Sequence, residues 1–196
     1  MNTEHKLSYY INNSDKTKYN QNIASVILGQ RVADMMNSER IIVHPGEIIN
    51  DNCSKENAIE FFKGLDDDRI LIENMPGYGR AGYKLCTTPE ETKEFLEKTG
   101  KKFCFDINHA ISTAISNKQD YIEVIKEFLK LNPVHFHLGG QKIIREEKSH
   151  LCFNESEIDL KKILALLPKG AKISIETSAE LGKLMMDLKY LKEVVE

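Results

Sequence analysis

Five short apolar runs in this chain finish on a residue that can ligate a metal or move a proton. IIVH ends on His44, ILIE on Glu73, FCFD on Asp106, HFH on His137 and ISIE on Glu176. Near-continuous apolar runs of this length describe strands buried on both faces, the pattern of a parallel sheet rather than of a sheet with one wet side. A polar ending repeated at the carboxyl end of five such runs demands a fold in which those ends meet.

Helical patterns separate the runs. Residues 19–38 carry apolar positions near the spacing of one face, and residues 54–65 follow Ser54 as a candidate N-cap. Thr88-Pro89-Glu90-Glu91 reads as an N-cap, a first-turn proline and a returning glutamate, and Gly100 reads as the stop of that helix. Further helices are expected from about 110 or 119 to 131, from 155 to 167 and from 179 to 195. With the N-terminal run LSYYI the count is about six strands.

Alternation of strand and helix implies an α/β fold with a parallel sheet, which is either a doubly wound open sheet or a (β/α) barrel. No G-x-G-x-x-G or Walker sequence follows the first strand, so the usual nucleotide-binding reason for an open sheet is absent. In a barrel every strand ends on the same face and the strand-end residues converge. The expectation is a single TIM-barrel-like domain over residues 1–196, incomplete because a closed barrel has eight strands and about 250 residues. Two βα units are absent, or another chain completes the ring by self-association, or the sheet stays open.

The remaining bounds are mild. The apolar runs are too short for a membrane span and the N-terminus lacks a signal-peptide core, which points to a cytoplasmic protein without membrane partners. Cys53, Cys86, Cys104 and Cys152 show no C-x-x-C spacing, so neither a zinc ribbon nor a disulfide framework is expected. The formal charge of −3 would count against a nucleic-acid partner. Two or three divalent cations, adding roughly +4 to +6, would reverse that locally.

Histidine with aspartate and glutamate, and no thiolate at the strand ends, is a mixed N/O donor set suited to Zn²⁺ or Mn²⁺. Glu73, Asp106, His137 and Glu176 suffice for one ion. His44, His109 and His150 bring enough donors for two or three, with Glu73 bridging. Clustered metals of this kind serve phosphodiester hydrolysis. His135 is expected to point away from these ligands, between barrel and helices. The loop from Gly77 to Arg80 is glycine-rich enough to approach a phosphate, and Lys142, Arg145 and Lys148 make the loop before His150 basic.

In order along the chain, HPGE, LIENMPGYG, FDINHA, HFHLGG and IETS resemble the strand-end motifs of endonuclease IV, the zinc-dependent apurinic/apyrimidinic endonuclease of the xylose isomerase-like barrel superfamily. The resemblance implies cleavage of DNA at abasic sites, with Glu73 as the residue that generates the nucleophile. It assigns His44 and Glu73 to a first zinc, Asp106, His137 and Glu176 to a second, and His109 and His150 to a third. His5 would join the first zinc, from one residue upstream of the family position. SYYIN resembles the family's S-Y-L-I-N, which places Tyr9 and Tyr10 in a DNA-binding loop; Arg80, Lys142 and Arg145, in the two loops above, are the other candidate DNA contacts.

There are departures. Lys148-Ser149-His150 stands where the family has D-R-H, Gly139-Gly140-Gln141 stands where it has a polar Asn-Asp-Ser, and the first two βα units are missing. The same four central ligands resemble those of D-tagatose 3-epimerase-like sugar isomerases and epimerases, which would imply one Mn²⁺ or a similar ion and a small sugar substrate. An inactive partial relative is the third reading.

Overall fold

The computed structural model describes residues 11–77, 82–144, 149–177 and 180–195. The chain runs α1 (Tyr19–Met35), β1 (Ile41–Val43), β2 (Glu47–Ile48), α2 (Lys55–Lys63), β3 (Ile70–Glu73), β4 (Tyr83–Lys84) and α3 (Pro89–Thr99). It continues with β5 (Lys102–Asp106), α4 (Ile107–Ser116), α5 (Tyr121–Leu129), β6 (His135–Leu138), α6 (Leu160–Leu166), β7 (Ile173–Ile175) and α7 (Leu181–Val195). No helix among the described residues is long and apolar enough to cross a membrane.

β1, β3, β5, β6 and β7 form one sheet in that order, every pair parallel, curved into half of a barrel. The incomplete barrel expected from the sequence is therefore present. The sixth run, 7–11, lies almost wholly outside the described residues. β2 and β4 pair antiparallel as a separate small ribbon, which two-residue strands gave the sequence no means to announce. Of the two starts expected for the helix ending near 131, the one at 119 matches α5, and α4 is a separate helix before it, because Asp106 caps α4 and Asp120 caps α5, each side chain accepting a backbone N–H. The expected helix starting near 155 begins five residues later, after a single 3₁₀ turn at Phe153–Glu155. Ser54, Thr88 and Gly100 cap as expected, Gly100 with φ +68°.

The two faces of the sheet divide the labour, because alternate residues of a strand point to opposite sides. On the outer face Ile70 and Ile72 pack with Phe61, Phe62 and Phe95 of the covering helices. Phe103, Phe105, Phe136 and Leu138 pack with Ile111, Ile125, Phe128 and Ile163. The other register turns Glu73, Asp106, His137 and Glu176 inward. Burying the outer aromatic layer is what fixes the inward row, since a slip of one residue would exchange the two sets.

Among the described residues, no strand pairs with the outer edge of β1 or of β7. Glu39 and Lys172, which precede β1 and β7, meet at 3.0 Å and link the feet of the two outermost strands. The helices at these ends expose apolar side chains at helical spacing: Leu28, Val32 and Met35 on α1, and Leu181, Met185 and Leu188 on α7.

The foot of β3 is set by Asp67. Its carboxylate accepts the backbone N–H of Arg69 at 2.9 Å, the Arg69 guanidinium at 2.8 Å and the Gln30 amide of α1 at 3.1 Å. Arg69 also reaches Asp34 of α1 at 2.7 Å, so one acid ties helix to strand. These donors hold the Asp67 carboxyl well below the usual carboxylate range, the Arg69 guanidinium first. A depressed folded-state pKa gives stability that is present above about pH 4 and lost as the pH falls through the folded value. Asp67→Asn is expected to cost about 1–2 kcal/mol at pH 7 and to flatten the loss of stability between about pH 4 and 2, as read from urea unfolding across pH.

Candidate metal centre

Each strand end delivers its side chain to one place. His44 Nε2 lies 3.1 Å from Glu73 Oε2, and His137 Nδ1 lies 3.1 Å from both Glu73 Oε1 and Glu176 Oε1. Glu73, Asp106, His137 and Glu176 each offer a donor atom within 4.8 Å of the others, and so do Asp106, His109 and His150. Asp106 belongs to both groups. Glu73, Asp106 and His137 are buried, while His44 and Glu176, on the outermost strands, are partly open to solvent. A cavity of about 410 Å³ opens beside them, lined by His44, Glu73, His137 and Glu176 with Asn13 and the side chains of β1.

Electrostatics separates the two buried acids. Burial pushes Glu73 up, but hydrogen bonds from His137 and His44 outweigh it and keep it ionised below the usual range. Asp106 has no such partner; burial, then the charge of Glu73, raises it well above the ordinary aspartate value. Its Oδ1 caps α4 by accepting the His109 N–H at 2.8 Å, whereas Oδ2 is buried without a hydrogen-bond partner. An orphaned carboxylate oxygen facing two imidazoles and two carboxylates fits a divalent cation, which would neutralise what burial makes costly.

The histidines are aimed by their second nitrogens or their backbone. His109 donates Nδ1–H to the Asn74 carbonyl at 2.8 Å, with the same nitrogen 3.5 Å from Asp106 Oδ2, so that the neutral ring carries its free lone pair on Nε2. Burial lowers its pKa to about 4, so the imidazole is neutral and able to ligate. His150 sits at φ +55°, a strained conformation for a non-glycine residue, with its ring edge-on to His109 at 5.6 Å. The close approach of its loop needs glycine at 139 and 140. A Cβ on Gly139 would collide with the Glu176 carbonyl, and one on Gly140 would stand 2.6 Å from the Cys152 carbonyl. That is a physical reason for the glycines where the family pattern is polar.

Asparagines that the sequence reading passed over hold the ligands. Asn74 and Asp106 make a two-point clamp between strand ends: Asn74 donates to the Asp106 carbonyl at 2.9 Å and accepts its N–H at 2.8 Å. Asn108 accepts the Gly139 N–H at 2.6 Å and donates back to the Gly139 carbonyl at 3.0 Å. The signal was an Asn directly beside each strand-end ligand, Asn74 after Glu73 and Asn108 before His109.

His135 corrects an expectation. Residues two apart on a strand share a face, and the His135 ring meets His137 edge-on at 5.5 Å instead of lying among the helices. It hydrogen-bonds Ser174 through Nε2 at 2.8 Å, one layer below the strand-end acids. Lys142 forms an ion pair with Glu157 at 3.1 Å and does not line the cavity. His5, Tyr9, Tyr10, Arg80 and Arg145 lie outside the described residues.

The fold has counterparts among known proteins. The chain is similar to a D-tagatose 3-epimerase-like protein with TM-score 0.71 and 20% identity, over 94% of this chain and 73% of that one. It is similar to endonuclease IV from Thermus thermophilus with TM-score 0.68 and 16% identity, over 95% and 73%. D-psicose 3-epimerase from Clostridium cellulolyticum gives TM-score 0.60 and 12% identity, over 94% and 75%. Likeness at these identities shows the fold. No curated protein matches the chain. A family model described as xylose isomerase-like TIM barrel matches residues 3–194, and the chain belongs to that family.

Proposed function

We propose that this chain hydrolyses phosphodiesters beside abasic sites in DNA, with two or three zinc ions held by the strand-end residues. The observation that carries this reading is the sharing of Asp106 between two donor groups, with His44 on the far side of Glu73. That is more donors than one ion uses. The ordered motifs resembling endonuclease IV support the same choice; the structural likeness, shared between that enzyme and the epimerases, does not separate them.

Bound divalent ions would supply Lewis acidity for the phosphate and would lower the pKa of water. In this reading His44 and Glu73 hold the first ion, Asp106, His137 and Glu176 the second, and His109 with His150 the third. Glu73 is the catalytic residue. It stays ionised in a buried site, bridges His44 to His137, and accepts the proton of the attacking water from its place at the cavity wall. Asp106 and His109, held by the Asn74 clamp, keep the donor geometry fixed while charge moves. Tyr9, Tyr10, Arg80, Lys142, Arg145 and His5 complete the proposal as DNA contacts and a further ligand.

One observation favours a second reading. The cavity beside the ligands is lined without a lysine or arginine among the described residues, as suits a neutral sugar better than a phosphate. In that reading one Mn²⁺ sits on Glu73, Asp106, His137 and Glu176, and the two glutamates move a proton next to a carbonyl.

Glu73→Gln is expected to lower cleavage of an abasic-site duplex by about 10²–10⁴-fold while leaving thermal unfolding within a few degrees. Wild-type cleavage in that variant contradicts the assignment. Epimerisation of a ketose by the wild type, with no cleavage, selects the second reading.

The outer edges of β1 and β7, unpaired among the described residues, support self-association with a second copy. A two-fold axis along the barrel would set β1 against β7 of the other copy, both parallel, and exchange the Glu39–Lys172 pair. It would also cover the exposed stripes of α1 and α7. Light scattering is expected to give twice the chain mass of 22.4 kDa, and Met185→Lys to halve it; a single-chain mass at all concentrations contradicts closure by a second copy.

A further inference from the structure

His44 differs from the other strand-end residues. It follows β1, an outermost strand, and its side chain is 59% exposed, so packing does not hold it. Its backbone is held instead by a strap that the strand-end pattern does not contain. The Asn13 side chain, 3% exposed, donates Nδ2–H to the His44 carbonyl at 2.7 Å. That bond also fixes the amide orientation, because the opposite one would set Oδ1 against a carbonyl.

The strap is rigid. Asn12 brackets Glu47, donating to its carbonyl at 2.8 Å and accepting its N–H at 2.9 Å, and Ser14 donates to the same carbonyl at 2.6 Å. Asn22 of α1 donates to the Asn12 carbonyl at 2.7 Å, and Asn57 of α2 donates to the Ser14 carbonyl at 3.0 Å. The turn after His44 closes onto it at Gly46, where φ is +113° and a Cβ would lie 2.6 Å from Asn12 Oδ1. Asn13 Oδ1 is buried without a partner, beside the same cavity as His44, Glu73 and His137. A buried amide held with its oxygen unpaired marks a position kept for something other than stability.

We propose that Asn13 is a positioning residue for His44, fixing the strand end so that the imidazole stays on Glu73. The claim rests on the metal reading of the centre. Zinc affinity is measured by competition with a chromophoric chelator for the wild type, Asn13→Ala, His44→Ala and the double variant, with thermal unfolding as the check on fold. Asn13→Ala is expected to weaken the His44-dependent zinc by about tenfold, and to change nothing further once His44 is alanine. A merely structural role would weaken zinc equally in both backgrounds. That result, or an affinity within twofold of wild type, overturns the proposal.

If Asn13→Ala fails to fold, Asn13→Ser replaces it, since a serine hydroxyl at the end of a shorter side chain cannot reach the carbonyl. Failure of the metal reading is seen separately, as no zinc uptake by the wild type. In that event the His44 imidazole signals of the zinc-free protein decide: the contact with Glu73 is expected in the wild type and lost in Asn13→Ala, and its persistence overturns the claim.

Discussion

The constraint on which the rest depends is the burial of two carboxylates, Glu73 and Asp106, at the ends of neighbouring parallel strands. Two like charges removed from water in one pocket cannot both stay ionised without compensation. Glu73 is compensated by two imidazoles, and Asp106 is compensated on one oxygen only. A core stabilised by phenylalanine packing on its outer face tolerates such an interior row only where the row has a use. The cost of the acids sits on one side of the sheet, and the aromatic layer that offsets it sits on the other.

The supporting groups follow from this constraint. Parallel pairing brings the strand ends to one rim, and asparagine clamps then hold them: Asn74 and Asn108 join one strand end to the next, at Asp106 and Gly139, and Asn13 ties the strap before α1 to His44. Amides suit this work because each both donates and accepts, and none adds charge to a site already rich in it. The glycines at 46, 139 and 140 serve close approach, each standing where a Cβ would strike backbone or a clamping amide. Rim histidines are thus fixed by backbone contacts, while the central acids are fixed by burial.

What the sequence disclosed was what rests on periodicity. The five strand ends, the alternation and the caps at Ser54, Thr88 and Gly100 are local patterns with a physical cause, and all are present. The clamps were hidden because an asparagine beside a ligand looks like any polar turn residue until its partner, some 30 residues away, is known. The split of α4 and α5 was half legible, because both halves are apolar on one face and the break shows only as the polar run 117–120 that ends on the cap Asp120. The place of His135 follows from a rule the sequence does carry: the two-residue period of a strand that turns His137 inward turns His135 to the same side.

The central claim is that convergent strand-end donors hold more than one ion. Elemental analysis of metal per chain, on protein purified without chelator, tests it most directly. The account predicts two to three zinc ions per chain, falling when His109 and His150 are replaced together. A single ion, unchanged by those replacements, would contradict it.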